Sequence, residues 1–302
     1  MKSLRFGSSL AIGLLITLAF TFSANAQATR TWISGVGDDA NPCSRTAPCK
    51  TFAGAISKTA TSGEIDCLDP GGFGALTITK PITLDCQSGV GSVLVSGTDG
   101  ITINSPNPGD AITIRNLTLE GLGNGLSGIS IVAATTVRLE NLKINNFATA
   151  GVMVNASASV DLSMNNVTIT AANPTGIGVS MTTTAGLATA ELDNVRIWNT
   201  HPGIQGRDNS VWTVHDSDLS FDGVAVKAFE AGSTINVINC QLNNNNVAVQ
   251  SVAGSTINVI DTTMSQNATA LNPNGGVLLS NGNNSVNGNT SIGSVTGPTN
   301  HI

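Results

Sequence analysis

The octapeptide AGSTINVI occurs twice, at Ala231–Ile238 and at Ala253–Ile260, 22 residues apart. A short spacing between identical β-prone runs restricts the fold more than any other feature of this chain, because it makes the chain a stack of equivalent units. A polar residue after a β-run recurs at Asn116, Asn141, Asn166, Asn194, Asp216, Asn239, Asp261 and Asn283, at intervals of 25, 25, 28, 22, 23, 22 and 22. A second landmark follows each of the first seven: GISI from Gly128, GVMV from Gly151, GIGV from Gly176, GIQG from Gly203, GVAV from Gly223, NVAV from Asn246 and ATAL from Ala268. Three short strands per 22–28 residues is the rhythm of a parallel β-solenoid. One coil cannot bury its apolar face alone, but stacked coils share a continuous core. Each strand then pairs with its equivalent about 4.8 Å away along the axis. The recurring Asn or Asp suits a bend in the left-handed conformation, and stacked amides can bond from coil to coil.

Composition agrees. Charged residues make up 11% and aromatics 4%, with no Tyr, which describes a polar-surfaced all-β protein rather than a disordered chain. Residues 1–26 form a signal peptide: Lys2 and Arg5, an apolar run Leu10–Phe20, and Ala24-Asn25-Ala26 before the expected cleavage at Gln27. No later segment is long and apolar enough to span a membrane. The expectation is a secreted or periplasmic protein with no transmembrane segment after cleavage. Cleavage leaves 11 Lys and Arg against 19 Asp and Glu, a balance that argues against nucleic acid as a partner.

The expected organisation is an N-terminal strand, disulfide loop and capping helix over 27–62, the solenoid over 63–290, and a flexible polar tail over 291–302. Within Lys50–Ala60, Phe52 and Ile56 lie four apart, as on the apolar stripe of a short helix covering the open edge of the first coil. Cys43, Cys49, Cys67, Cys86 and Cys240 would meet an oxidising compartment. Four of them permit three pairings. The short loop SRTAP and the matching settings IDCLDPGG and LDCQSG favour Cys43–Cys49 with Cys67–Cys86, if the latter two occupy equivalent places on adjacent coils. No CxxC or Cys/His spacing points to a metal.

The pattern V-x-L-x-N-V-x-I…G-I-x-V resembles the repeats of right-handed parallel β-helices of the pectin-lyase-like superfold. The stretch SGVGDDANPCSRTAPCKTFAGAI resembles the amino-terminal segment of secreted β-helix proteins, G-x-D-x-N-P…P-x-K-T-x-x-A. The resemblance covers roughly residues 30–290. It implies an all-β fold, a single-stranded right-handed parallel β-helix (solenoid) with a short N-terminal capping helix. It does not select an activity, since the fold hosts lyases, hydrolases, epimerases and adhesins.

Alternation along the strands sorts side chains into inward and outward sets. Inward are Leu117/Leu119, Leu142/Ile144, Val167/Ile169, Val195/Ile197, Ser217/Leu219, Cys240/Leu242 and Thr262/Met264; Cys240 reads as a small buried residue rather than a reactive thiol. The resemblance implies catalytic groups projecting outward from one strand stack. On the landmark stack the outward positions are Ser130, Met153, Gly178, Gln205, Ala225, Ala248 and Ala270, which supply no acid or base. The paired acids and Gly-His-Gly of polygalacturonase-like hydrolases are also missing. Two residues further along, Val132, Asn155, Ser180, Arg207, Lys227, Gln250 and Asn272 would place Arg207 and Lys227 on neighbouring coils, flanked by Asp208 and Glu230. Trp198, His201 and Asp222 would lie on the other rim.

Two readings of that cluster stay open. One is a glycan site built from Trp198, His201, Arg207, Asp208, Asp222 and Lys227, since Trp faces stack on sugar rings and Arg and Lys hold carboxylates. The other is a solvated loop with surface ion pairs. If the cluster is catalytic, His201 is the proton shuttle and Arg207 or Lys227 the base or carboxylate clamp. Trp212 aligns with Ile235 and belongs inside. VWTVHDSDLS faintly echoes the V-W-I-D-H segment of pectate lyases, but Val214 stands where the acid would precede His215, so His215 reads as a surface residue beside a bend. Arg196 and Asp218 read as a weak surface pair. Asp38, Asp39 and Asn41 form a disulfide-pinned turn, with calcium as the alternative; no cofactor is expected. The favoured function is a non-catalytic glycan-binding or surface protein. The alternative is a polysaccharide-acting enzyme, pectate-lyase-like or glycoside-hydrolase-like, using the Trp198–Lys227 loop cluster.

Overall fold

The computed structural model describes residues 27–87, 91–171 and 175–298; the expected signal peptide lies outside the described residues. The chain winds as a parallel β-solenoid. A first strand stack is a twelve-stranded sheet among the described residues, from Ala28–Ile33 to Gly297–Pro298, with coil-to-coil neighbours such as Thr136–Glu140, Val160–Asn165, Ala188–Asp193 and Ser210–His215. A second and a third stack close the cross-section, represented by Arg196–Trp198 and Ile204–Gly206 in one coil and by Asp218–Ser220 and Val224–Ala228 in the next. The doubled octapeptide supplies two adjacent rungs of the first stack: Thr234 to Ile238 pair in order with Thr256 to Ile260.

The bends follow from residue chemistry. Asn116, Asn141, Asn166, Asn194, Asp216, Asn239 and Asp261 all adopt the left-handed conformation, with φ between 48° and 61°. Their amides stack as expected: Asn141 Nδ2 donates to Asn116 Oδ1 at 3.1 Å and Asn166 Nδ2 to Asn141 Oδ1 at 2.8 Å. Asn283 departs from the series. Gly282, with φ of 82°, takes the bend there, and Asn283 Oδ1 instead accepts the Asp261 N–H at 3.3 Å. A further row of left-handed bends, Asn199, Phe221, Asn244 and Gln266, joins the second stack to the third and has no uniform sequence signature.

The inward residues named from the sequence are buried, Cys240 and Trp212 included, and Trp212 pairs with Ile235. The landmark row needs correction. Ala225, Ala248 and Ala270, expected outward, are fully buried in the core, because the chain turns consecutive residues inward as it leaves the corner. Lys227 pairs with Gln205 and not with Arg207, since Ile204 pairs with Val226 and Gly206 with Ala228. The glycine landmarks mislead by two residues. Gly223 does not repeat the role of Gly203; it is glycine because the His201 ring packs on it, and a Cβ there would lie 1.4 Å from His201 Nδ1.

The helix covers Phe52–Ile56, shorter than Lys50–Ala60 because the chain re-enters a strand at Thr59. Thr51 caps it by accepting the Gly54 N–H at 2.9 Å, and buried Phe52 meets Phe73 edge-on at 5.7 Å between centroids. Disulfides join Cys43 to Cys49 and Cys67 to Cys86, each with Cα atoms 4.6 Å apart. Residues 291–298, expected as part of a flexible tail, continue the winding: Ser291 and Gly293 pair with Thr269 and Leu271.

Candidate functional site

The sequence candidates fall at four places around the cross-section. Trp198 ends its strand on the second stack, in register with Thr170 and Ser220, and is 38% exposed. His201 is exposed at the following corner, before a cis Pro202. Asp222 is sealed inside that corner, only 3% exposed. Its Oδ1 accepts both the N–H and the hydroxyl of Thr200 at 2.8 Å, while its own N–H donates to Asn245 Oδ1 at 2.8 Å. Burial pushes the Asp222 carboxyl up to about 7, against the Thr200 donors that favour the anion. Asp222 is therefore an internal strut that faces Thr200, away from any ligand on the surface.

Lys227 stands on the third stack between Gln205 and Gln250. Its Nζ lies 4.6 Å from the Phe229 ring centroid, and burial lowers its pKa. Beyond it, at the corner leading back to the first stack, Arg207 grips Glu230 through Nε at 3.1 Å and Nη2 at 2.8 Å. The Asp208 N–H donates to the other Glu230 oxygen at 3.1 Å. The Arg207 hydrogen bonds and the Asp208 N–H hold Glu230 below the usual carboxylate range, with burial opposing them.

This pair forms the floor of a cleft of about 560 Å³, lined also by Asn155, Thr182, Thr183, Thr184 and Asn209. The structure thus gathers Arg207 and Asp208 with Glu230, and leaves Trp198, His201, Asp222 and Lys227 out of the cleft lining. The Thr182–Thr184 run and Asn209 were not legible as site residues, because small polar side chains are common all over this surface. A second polar groove, about 620 Å³, lies on the first stack over Thr136, Arg138, Asp161, Ser163, Thr189, Glu191 and Thr213. The signal for it was available: outward charges alternate with core residues in TVRLE, VDLSM and ATAELD.

The oxygens considered for calcium serve the fold. Asp39 Oδ1 accepts the Lys50 and Thr51 N–H groups at 2.8 and 2.9 Å, and Oδ2 accepts the Thr51 hydroxyl at 2.8 Å. Asp38 Oδ1 accepts the Ala40 N–H at 2.9 Å, and Asn41 Nδ2 donates to the Pro48 carbonyl at 2.9 Å. Cys240 is buried and unpaired, and burial pushes its thiol up to about 11, away from thiolate chemistry. Arg196 and Asp218 sit on neighbouring rungs, with Asp218 taken by the Ser220 hydroxyl. No helix of the described residues is long and apolar enough to cross a membrane.

No protein-family model matches the sequence, and no curated protein matches it. Solved structures do. Pectate lyase Pel9A aligns with a TM-score of 0.64 at 13% identity, over 90% of this chain and 78% of that one. A rhamnogalacturonan lyase aligns with a TM-score of 0.46 at 12% identity, over 83% and 75%. The A-module of the Azotobacter vinelandii mannuronan C-5 epimerase AlgE4 aligns at 0.34 and 11% identity, over 83% and 92%. At such identities the likeness is one of fold, and only the first is close enough to bear weight. The likeness over most of both chains agrees with the coil-to-coil parallel strand order: the chain is a right-handed parallel β-helix of the pectin-lyase-like fold.

Proposed function

We propose that this chain is a non-catalytic glycan-binding β-helix of an extracytoplasmic compartment, and that the Arg207–Glu230 cleft is its main contact surface. The observation that carries this is the pairing inside the cleft. Arg207 and Glu230 are locked to each other, so the site offers fixed donors and acceptors to sugar hydroxyls, and Glu230 is held below the usual carboxylate range instead of being raised as a general acid would be. The one carboxyl pushed to about 7, Asp222, is sealed in another corner. Trp198 adds a separate, half-open aromatic platform. The fold-level likeness to a pectate lyase supports polysaccharide as the ligand class. The two disulfides support an oxidising compartment.

One observation favours the catalytic alternative. Burial lowers the Lys227 pKa, which is how a lysine becomes a base. Both readings meet in one experiment. The mature chain is incubated with soluble acidic and neutral polysaccharides, retention is measured on immobilised protein, and chain length is followed by size exclusion and mass spectrometry. The expected result is saturable retention without shortening, reduced at least about tenfold by Arg207→Ala, which exposes the buried side of Glu230. Trp198→Ala tests the platform separately. Shortened chains that disappear with Lys227→Ala would put the enzyme first.

A further inference from the structure

His215 ends the strand Ser210–His215 of the first stack and stands in register with Asp193 one coil earlier. Asp216 takes the bend that follows, with φ of 52°. His215 Nδ1 lies 3.4 Å from Asp193 Oδ1 and 3.3 Å from Asp216 Oδ2, and donor atoms of the three residues all lie within 4.8 Å of one another. Without an ion the Nδ1–Asp216 contact is a hydrogen bond, longer than the about 2.7–2.9 Å of charge-assisted N–H···O bonds. Separations near 3.3 Å also match the edge of a coordination tetrahedron whose ligand bonds are about 2.0–2.1 Å long.

The other atoms of these side chains are held away from that point by neighbouring coils. Asn165 Nδ2 donates to Asp193 Oδ2 at 2.7 Å, and Asn239 Nδ2 donates to Asp216 Oδ1. Each carboxylate is thus gripped from behind and turns its remaining oxygen toward the imidazole. Glu191 Oε1 faces the far ring nitrogen, Nε2, at 3.6 Å. An ion bound at Nδ1 would displace any proton there and leave the ring proton on Nε2, on the side where Glu191 stands, which is how outer partners orient a metal-binding histidine. The Nδ1 lone pair and the two free carboxylate oxygens would then converge on that ion. A proton on Nδ1 serves one carboxylate well at best; a cation serves all three.

We infer that Asp193, His215 and Asp216 form a coil-bridging site for a first-row divalent metal of the zinc class, with solvent completing the coordination. One imidazole with two carboxylate oxygens matches zinc, whereas calcium takes six to eight oxygens. The donor side chains are 27%, 38% and 54% exposed for His215, Asp193 and Asp216, so the ion enters directly from solvent. The site shares no residue with the Arg207–Glu230 cleft and stands or falls independently of glycan binding.

The test uses tag-free mature protein, stripped with a chelator and exchanged into a non-coordinating buffer at neutral pH. Zinc is titrated by calorimetry, melting is followed with and without zinc, and cobalt serves as the spectroscopic substitute. The expected result is one zinc per chain, a higher melting temperature with zinc, and a cobalt spectrum of low coordination number. Asp216→Asn keeps the bend, because Asn holds the same place in the adjoining coils at Asn194 and Asn239. It should weaken zinc at least about tenfold. His215→Ala should do the same, and His201→Ala should leave binding intact. Absence of binding at millimolar zinc, unchanged affinity in Asp216→Asn, or calcium bound as tightly as zinc would each overturn the assignment.

Discussion

At the scale of single residues, Asp222 is the one rung of an internal ladder written differently from the rest. In the following coils Asn245, Asn267 and Asn289 each accept a backbone N–H from the preceding rung through Oδ1. Each also donates Nδ2 to a carbonyl, of Leu219, Leu242 and Met264 respectively. Asp222 keeps the first bond, to Thr200, but its Oδ2 is buried without a partner. The carbonyl in the equivalent place belongs to Ile197, which is in register with Leu219, and an oxygen cannot donate to it unless protonated. Burial of this unpartnered carboxylate, with the Asp218 charge adding to it, is the physical source of the raised carboxyl. The sign follows. The folded chain holds this proton up to about pH 7, while the unfolded chain releases it near 3.8. Stability from this group is therefore full below pH 4 and lost as pH rises through 7, on the order of 4 kcal/mol in all. Asp222→Asn restores the missing donor. It should flatten that part of the pH profile and stabilise the protein at pH 8 by roughly 1–3 kcal/mol, measured by urea unfolding across pH. A loss of stability at pH 8 would contradict the ladder argument.

At the scale of strands and corners, much was legible and the exceptions are instructive. The first row of bends could be read because an L-residue at positive φ is costly, and Asn and Asp bear that cost best. The second row could not, because Phe221 and Gln266 adopt φ of 61° and 58° with no preference to announce them; packing dictates the turn there. Alternation placed Leu142, Ile144, Val167 and Ile169 correctly, but it fails where a strand meets a corner. The row before the third-stack strands runs Gly128, Gly151, Gly178, Gly203, Ala225, Ala248 and Ala270, and it faces the core side of the bend. A Cβ on Gly151 would meet Ile169 Cγ2 at 2.4 Å and the Gly178 carbonyl oxygen at 2.8 Å. Gly151→Ala should therefore cost about 1–3 kcal/mol, as overpacking does. Chemical denaturation of the purified variant would measure it, and an unchanged midpoint would show that the corner relaxes freely.

At the scale of the whole molecule, stability should be a sum of coil terms and coil–coil interfaces. The duplicated octapeptide permits a clean test. Excising residues 231–252 joins Glu230 to Ala253 and leaves the same AGSTINVI rung stacked on Trp212, with Asp261 in place of Asn239 at the bend. The shortened chain should fold with an unchanged strand signature and a lower melting temperature; a molten product would show that the coils are less interchangeable than their register suggests. The same architecture explains why the candidate site was only partly visible in the sequence. Between Asp193 and Ile260, neighbours across coils are 22 or 23 residues apart, so the Arg207–Glu230 pair could be found from spacing once the rung was known. A slide of two residues, however, moves Lys227 from Arg207 to Gln205, and the landmark glycines could not reveal that slide. Charge partners in a solenoid are set by register, and register is the least legible quantity in a repeat.

Both disulfides lie in the first coils, Cys43–Cys49 beside the cap and Cys67–Cys86 across the next rung, while the last buried core residue is Leu278 and the strands Ser285–Asn287 and Ser291–Gly293 are largely open to solvent. A zipper fastened at one end opens from the other. Thermal fraying, proteolytic nicking and amide exchange would thus advance from the carboxyl-terminal coils toward the cross-linked ones, giving the rod a direction in which it comes apart and a terminus that keeps its shape longest.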